Sequence, residues 1–151
     1  PKAMTVALNA WDIFERVGKM EGERAIAEAT VYLALAPKSN ALYEAFNKAK
    51  EDAKLTGSSE VPIYLRNAPT KLMEDLGYKK GYRYAHDFPG AYADGECFFP
   101  EELCGTVYYH PSNRGVEEGF SRKIQYLKDR DEASLQSRYK KGFKGKKVRY
   151  Q

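Results

Sequence analysis

The sequence has little cysteine, no long apolar run and none of the short motifs that mark a nucleotide or metal enzyme. Two cysteines, Cys97 and Cys104, stand among 151 residues. Two thiols cannot build a disulfide framework or a four-cysteine zinc site, and their C-x6-C spacing fits no metal motif. They are expected to be reduced thiols of a cytosolic protein. No apolar stretch approaches the ~20 residues that span a membrane. The longest, from Val31 to Ala36, stops at Pro37. Nothing resembles G-x-x-x-x-G-K-[ST], H-E-x-x-H, G-x-S-x-G or CxxC. No catalytic, cofactor-binding or metal residue is therefore assigned. The opening PKAMTVALNAWD lacks the apolar core and cleavage site of a secretory leader. It begins with Pro1, so the expectation is a piece of something longer.

What is present is charge of one sign, in one place. The formal net charge is +4. Residues 138–151, RYKKGFKGKKVRYQ, hold seven bases and no acid, and the other 137 residues carry 18 bases and 21 acids. The body is thus −3 and the tail +7. Like charges spaced by glycine repel one another, which favours a disordered, solubilising tail. The tail's Lys140, Lys141, Lys144, Lys146 and Lys147 also suit an arm for nucleic acid, since Tyr139, Phe143 and Tyr150 can stack on bases.

Helical periodicity fills the first half. Ala7, Ala10, Trp11, Phe14 and Val17 recur at helical spacing over residues 5–20, and Gly18 should end that helix. A second helix is expected from Glu21 to Leu35, closed by Pro37. A third follows a cap at Ser39, with Leu42, Ala45, Phe46, Ala49 and Ala53 inward. Asn67 should cap a short helix from Ala68 to Leu76, with Gly77 behind it. Residues 77–111 lose the period yet hold nine of the 20 aromatic residues. A segment this rich in rings is expected to lie over the helices, with short extended pieces at 95–99 and 106–109. Val116, Phe120, Ile124 and Leu127 then form the stripe of a last helix, capped by Ser112 or Asn113 and fraying into the tail. The resulting division is a helical core at 1–76, an irregular aromatic extension at 77–111, a C-terminal helix at 112–137 and a basic tail at 138–151.

Candidate chemistry is sparse. His86 and Asp87 are neighbours, and with Cys97 or Cys104 they would be the raw material of a thiol enzyme. The preferred reading is that they tie down an irregular loop by hydrogen bonds. A basic group, Arg66, Lys71, Lys79, Lys80 and Arg83, is interleaved with Tyr78, Tyr82 and Tyr84. The mixture fits phosphate contacts with stacking rings, or an ordinary surface with tyrosines packed beneath. Arg66, beside Ile63 and Leu65, is also a candidate for pairing with a buried carboxylate. Trp11, Phe14, Tyr32, Tyr43 and Phe46 exceed what one small core buries, and read as anchors of a subunit interface.

Three segments carry a family resemblance: LALAPKSNALYEAFNKAK at 33–50, VPIYLRNAPTKLMEDLGYKKGYRYAHDFPG at 61–90, and FFPEELCGTVYYHP at 98–111. In order and together they resemble the C-terminal region of the replication-associated recombination protein A family. These are AAA+ ATPases called RarA or MgsA in bacteria, similar to the eukaryotic Werner-helicase-interacting protein. The resemblance covers about residues 5–127. Cys97-Phe98-Phe99 stands where that family often has a basic or glutamine residue before Tyr-Leu, which keeps aromatic bulk but adds a thiol. The resemblance implies an all-α helical bundle of the post-AAA+ oligomerisation type, like the collar of clamp loaders, with an aromatic-rich extension. It implies a homo-oligomer, a tetramer, with an upstream AAA+ module in cis that holds ATP and Mg, and no cofactor in this fragment. DNA and single-strand-binding protein are the implied partners, and a cytoplasmic, nucleoid-associated bacterial location the implied setting.

Overall fold

A computed structural model describes residues 2–57 and 59–139. Among them five α-helices form, with short 3-10 turns and no strand, so the fold is all-α. The chain divides into two compact units, residues 1–39 and 40–151.

The first unit is a helical hairpin of α1 (Lys2–Val17) and α2 (Lys19–Leu35). Gly18 alone joins them, at φ 101, a backbone region open to glycine and costly for other residues. Its carbonyl accepts the Gly22 N–H at 2.9 Å, which starts α2 two residues before the expected Glu21. The contact face is made of small residues: Ala10, Gly22 and Ala29 are buried. A Cβ at Gly22 would stand 2.6 Å from the Phe14 Cα, so the backbones meet where only hydrogen fits. Pro37 lies just beyond the end of α2, as read.

The second unit opens with α3 (Ala41–Thr56). Asn40, not Ser39, occupies the cap position, and its side-chain amide donates forward to Glu44 at 3.1 Å instead of serving a backbone N–H. Ala45 is buried as expected, but Asp52 is buried too, at 3% exposure, where the sequence pattern had put Ala49 and Ala53 inward. Tyr64, on the 3-10 turn Ile63–Leu65, is the large buried side chain of this unit.

The short helix is α4 (Lys71–Asp75), three residues later than Ala68. Pro69 bars Ala68 from helical geometry, and Thr70 takes over the cap, its hydroxyl accepting the Met73 N–H. The helix ends in a Schellman arrangement. Tyr78 N–H bonds the Met73 carbonyl at 3.0 Å, and Gly77 N–H bonds the Glu74 carbonyl at 2.9 Å, with Gly77 at φ 85.

The irregular segment has no strand at 95–99 or 106–109, where extended pieces were expected; a turn precedes each stretch, at 94–95 and 104–105. The Glu96 N–H is spent on the Ala93 carbonyl and the Thr106 N–H on the Leu103 carbonyl, and no strand is there to pair with either. The acidic run after Pro100 forms a 3-10 turn, Glu101–Leu103. The last helix, α5 (Val116–Ala133), starts behind Gly115. Neither Ser112 nor Asn113 caps it. Instead the Glu117 carboxylate reaches back to the Ser112 N–H at 2.8 Å and the Tyr109 hydroxyl at 2.9 Å. Its polar end does not fray at the stripe's last residue, Leu127, but continues to Ala133. The disorder expected of Lys140 to Gln151 lies outside the described residues.

Candidate functional site

The five bases read together at 66–83 divide into two kinds. Arg66 turns toward its own neighbourhood: it pairs with Glu60, donates to the Val61 carbonyl at 2.6 Å and stacks 5.5 Å from the Tyr78 ring centre. Its carboxylate partner is not buried, as Glu60 is 81% exposed. The Glu60 pairing, then Tyr78, raises the proton affinity of the guanidinium. Arg83 donates to the Asp94 carbonyl at 2.8 Å and lies 4.7 Å over Phe88. Both are structural. Lys71, Lys79 and Lys80 are exposed, and their ammonium groups enter no ion pair or hydrogen bond among the described residues.

Lys79 and Lys80 sit on a turn held at both ends. The Lys79 N–H bonds the Ile63 carbonyl at 3.2 Å, the Lys80 N–H bonds Gly77 at 3.2 Å, and the Tyr82 N–H bonds Lys79 at 3.0 Å. Lys79 itself is left-handed, φ 61, a conformation non-glycine residues rarely adopt without support. Tyr82 and Tyr84 beside it are 41% and 52% exposed.

The last turn of α5 and the chain that leaves it form a strap. Arg130 ion-pairs with Asp94 at 2.7 Å and donates to the Pro89 carbonyl at 2.9 Å. Asp131 accepts the Tyr92 hydroxyl and the Gly95 N–H, each at 2.8 Å. Burial and that carboxylate push the Tyr92 hydroxyl up to about 12. Arg138 closes the strap. Its guanidinium grips both Glu96 oxygens at 2.6 Å, donates to the Gly81 carbonyl at 2.8 Å and lies 4.0 Å over the Tyr64 ring, while its backbone N–H bonds the Gly95 carbonyl at 2.9 Å. Burial alone would raise the Glu96 carboxyl. The hydrogen bonds from Arg138 and from the Cys97 N–H outweigh it and hold the group below its usual range. Arg138, counted with the tail by charge, is therefore a half-buried tether, and Lys140, Lys141, Lys144, Lys146 and Lys147 lie outside the described residues.

The aromatic candidates are all on the surface. Trp11, Tyr43 and Phe46 are more than 60% exposed; Phe14 and Tyr32 are close to 40%. Met4 and Leu8 extend the Trp11 stripe along α1 at 73% and 60% exposure. Tyr32 lines a shallow apolar groove with Val31, Leu35 and Pro37.

The thiols are free and half-buried. Burial, with the Cys97 thiol beside it, pushes Cys104 up to about 12, which withdraws it from thiolate chemistry near neutral pH. His86 and Asp87 are exposed on a 3-10 turn, with the His86 ring 5.0 Å from Tyr84. Among the described residues, no three His, Cys, Asp or Glu side chains converge as a metal site requires, and no helix is long and apolar enough to cross a membrane.

Residues 1–128 match the family described as MgsA AAA+ ATPase C terminal. The chain belongs to that family. It is 57% identical over 140 residues to the replication-associated recombination protein A of Haemophilus influenzae and 55% identical to that of Escherichia coli strain K12, covering 93% of this chain and 31% of each relative. It is also 37% identical over 107 residues to the ATPase WRNIP1 of Dictyostelium discoideum, covering 71% of this chain and 12% of that protein. The chain thus spans about a third of the bacterial relatives. The MgsA C-terminal match takes in the hairpin, α3, α4, the aromatic segment and most of α5. Arg130, Asp131 and the Arg138 strap fall beyond residue 128. Sequence reasoning missed Glu96 and Asp94 as partners of those arginines, because the pairs are 42 and 36 residues apart and no spacing rule links them.

Proposed function

We propose that this chain is the C-terminal oligomerisation and interaction module of a longer AAA+ ATPase that acts in DNA replication, recombination and repair. The observation that carries the reading is the exposure of Trp11, Tyr43 and Phe46, with Phe14 and Tyr32 partly covered. Rings of this size are the residues that subunit interfaces bury. Small residues fill the hairpin contact, so the large ones are left for a neighbour. The assembly is a homo-oligomer, a tetramer by resemblance to the family. The ATPase module lies upstream in cis and holds the ATP and Mg. Static light scattering of the chain at tens of micromolar tests the reading. The expected result is a multiple of the monomer mass that drops when Trp11→Asp and Tyr43→Asp are introduced. A strict monomer sinks it.

A second function, direct contact with DNA, is compatible with the first. It is favoured by Lys71, Lys79 and Lys80, exposed and unpaired among the described residues, beside the exposed rings of Tyr82 and Tyr84. Phosphate contacts release counterions, so binding must weaken steeply with salt. Single-strand-binding protein remains a candidate partner of the same protein.

A further inference from the structure

Six residues separate Cys97 from Cys104, and the chain between them folds back on itself. Behind Pro100 a 3-10 turn forms, in which the Leu103 N–H bonds the Pro100 carbonyl at 3.0 Å and the Cys104 N–H bonds the Glu101 carbonyl at 3.2 Å. The return brings the two thiols into hydrogen-bonding contact with each other. The Cys97 thiol also faces the Phe99 carbonyl, at 3.8 Å, inside the loop it opens. The main chain at Cys97 is fixed on both sides. Its carbonyl accepts the Tyr64 hydroxyl, and its N–H bonds the Glu96 carboxylate at 3.0 Å. Glu96 is held in turn by Arg138. Both thiols are free and half-buried, so a small solute can reach them. A disulfide needs its sulfurs about 2.05 Å apart, and thiols already in contact reach that distance by a small movement.

We propose that Cys97 and Cys104 are a reversible oxidation site, a dithiol that takes a low-molecular-weight disulfide such as glutathione disulfide as its oxidant and closes the Phe98–Leu103 loop with an internal S–S bond. Disulfides of this transient, sensing kind are the ones that reduced compartments permit. Burial and the neighbouring thiol keep Cys104 protonated, so the first attack falls to Cys97, which gives its proton to solvent and reacts as thiolate. An S–S bond forms between Cys97 and one half of the oxidant. The other half leaves as a thiolate and takes a proton from solvent. The Cys104 sulfur then loses its proton to solvent and attacks the Cys97 sulfur, which expels the second half as a second thiol. The protein gives up two hydrogens and two electrons, and the oxidant gains both. Contact makes the second step intramolecular, and that offsets the reluctance of Cys104 to ionise. An excess of the reduced thiol runs both steps backward. The clamped loop, through Phe98, Phe99 and Leu103, lines an apolar groove that it shares with Ala49 and Ala53 of α3, so the bond would stiffen one wall of that groove.

The test incubates the 151-residue chain in glutathione buffers of graded disulfide content, blocks the remaining thiols in denaturant, and reads the intact mass and the bridged peptide. The parent should convert to an unlabelled monomer that has lost two hydrogens, with Cys97 joined to Cys104, and should return on adding reduced glutathione. Cys104→Ser should stop at a mixed disulfide on Cys97, about tenfold more abundant than in the parent in the same buffer. Cys97→Ser should take up glutathione more slowly than Cys104→Ser, because the thiol left behind is the protonated one. Circular dichroism checks that both variants keep their helices. In urea the contact is lost, and the equilibrium constant for closing the bond should drop about tenfold or more. That comparison uses the parent alone, so it decides the matter even where a serine variant folds poorly. Equal mixed disulfide in the parent and Cys104→Ser, a bridge between two chains, two unmodified thiols across the whole series, or an unfolded chain that oxidises as readily as the folded one each overturns the proposal.

Discussion

Removing the Arg138 charge isolates one carboxylate. Glu96 is 3% exposed and Arg138 19%; in Arg138→Gln the carboxylate stays buried opposite a neutral amide. Breaking one partner of such a pair costs about 3–5 kcal/mol. Urea denaturation should show a midpoint lowered accordingly, and a Glu96→Gln, Arg138→Gln double variant should lose less than the two single losses added together. The same pair sets an acid limit. The folded Glu96 carboxyl sits below its unfolded value, so its contribution is complete above a pH of about 4.3 and fades as pH falls through the folded value. Stability measured downward from pH 5 should fall more steeply in the parent than in Glu96→Gln. Cys104 behaves in the opposite sense. With its thiol pushed up by burial and the neighbouring Cys97, it should alkylate at neutral pH more slowly than a free cysteine, read by mass spectrometry after a timed iodoacetamide pulse. None of these groups can be ranked by residue type. Arg66, Lys79 and Arg83 look alike in a charge count, and only the surroundings show that two are spent on carbonyls, a carboxylate and rings while one is left to solvent.

At the level of elements, periodicity locates what is local. The bodies of α1, α2, α3 and α5 follow from apolar spacing, and Gly18, Pro37 and Gly77 mark the ends of α1, α2 and α4 for reasons of backbone geometry. Caps are less legible because several residues compete for each. Asn40 supplants Ser39 by leaning on Glu44, Thr70 supplants Asn67 because Pro69 intervenes, and Glu117 serves the chain before α5 where Ser112 was expected to serve the helix. The strap was invisible, since its hydrogen bonds reach across 36 to 57 residues. Gly22→Ala tests the hairpin. In an exposed helix that change gains about 1 kcal/mol of propensity. Here the new methyl meets the Phe14 backbone at 2.6 Å, and overpacking of this kind costs about 1–3 kcal/mol. The helical signal should melt earlier, not later. Gly95→Ala tests the strap: at φ 71, its Cβ would overlap the Gln136 carbonyl oxygen. Hydrogen exchange should quicken at the Arg138 amide while α1 and α2 stay protected.

For the molecule as a whole, the net +4 conceals a division that the structure refines. The body is −3 by composition, and one of the seven tail bases, Arg138, turns inward against Glu96. Six remain beyond it, Lys140, Lys141, Lys144, Lys146, Lys147 and Arg149. On the proposed reading, adding salt should loosen DNA well before it disturbs the subunit contacts proposed for Trp11, Tyr43 and Phe46. Light scattering and anisotropy on one salt series should separate the two. The hairpin adds a last consequence. Its inner seam is alanine and glycine, and its rings face outward, so little of its apolar area is covered from within. In the proposed oligomer such a pair draws stability from the neighbouring subunit, and folding is linked to mass action. Its melting temperature should climb with protein concentration, and simple dilution should act on it as a denaturant does.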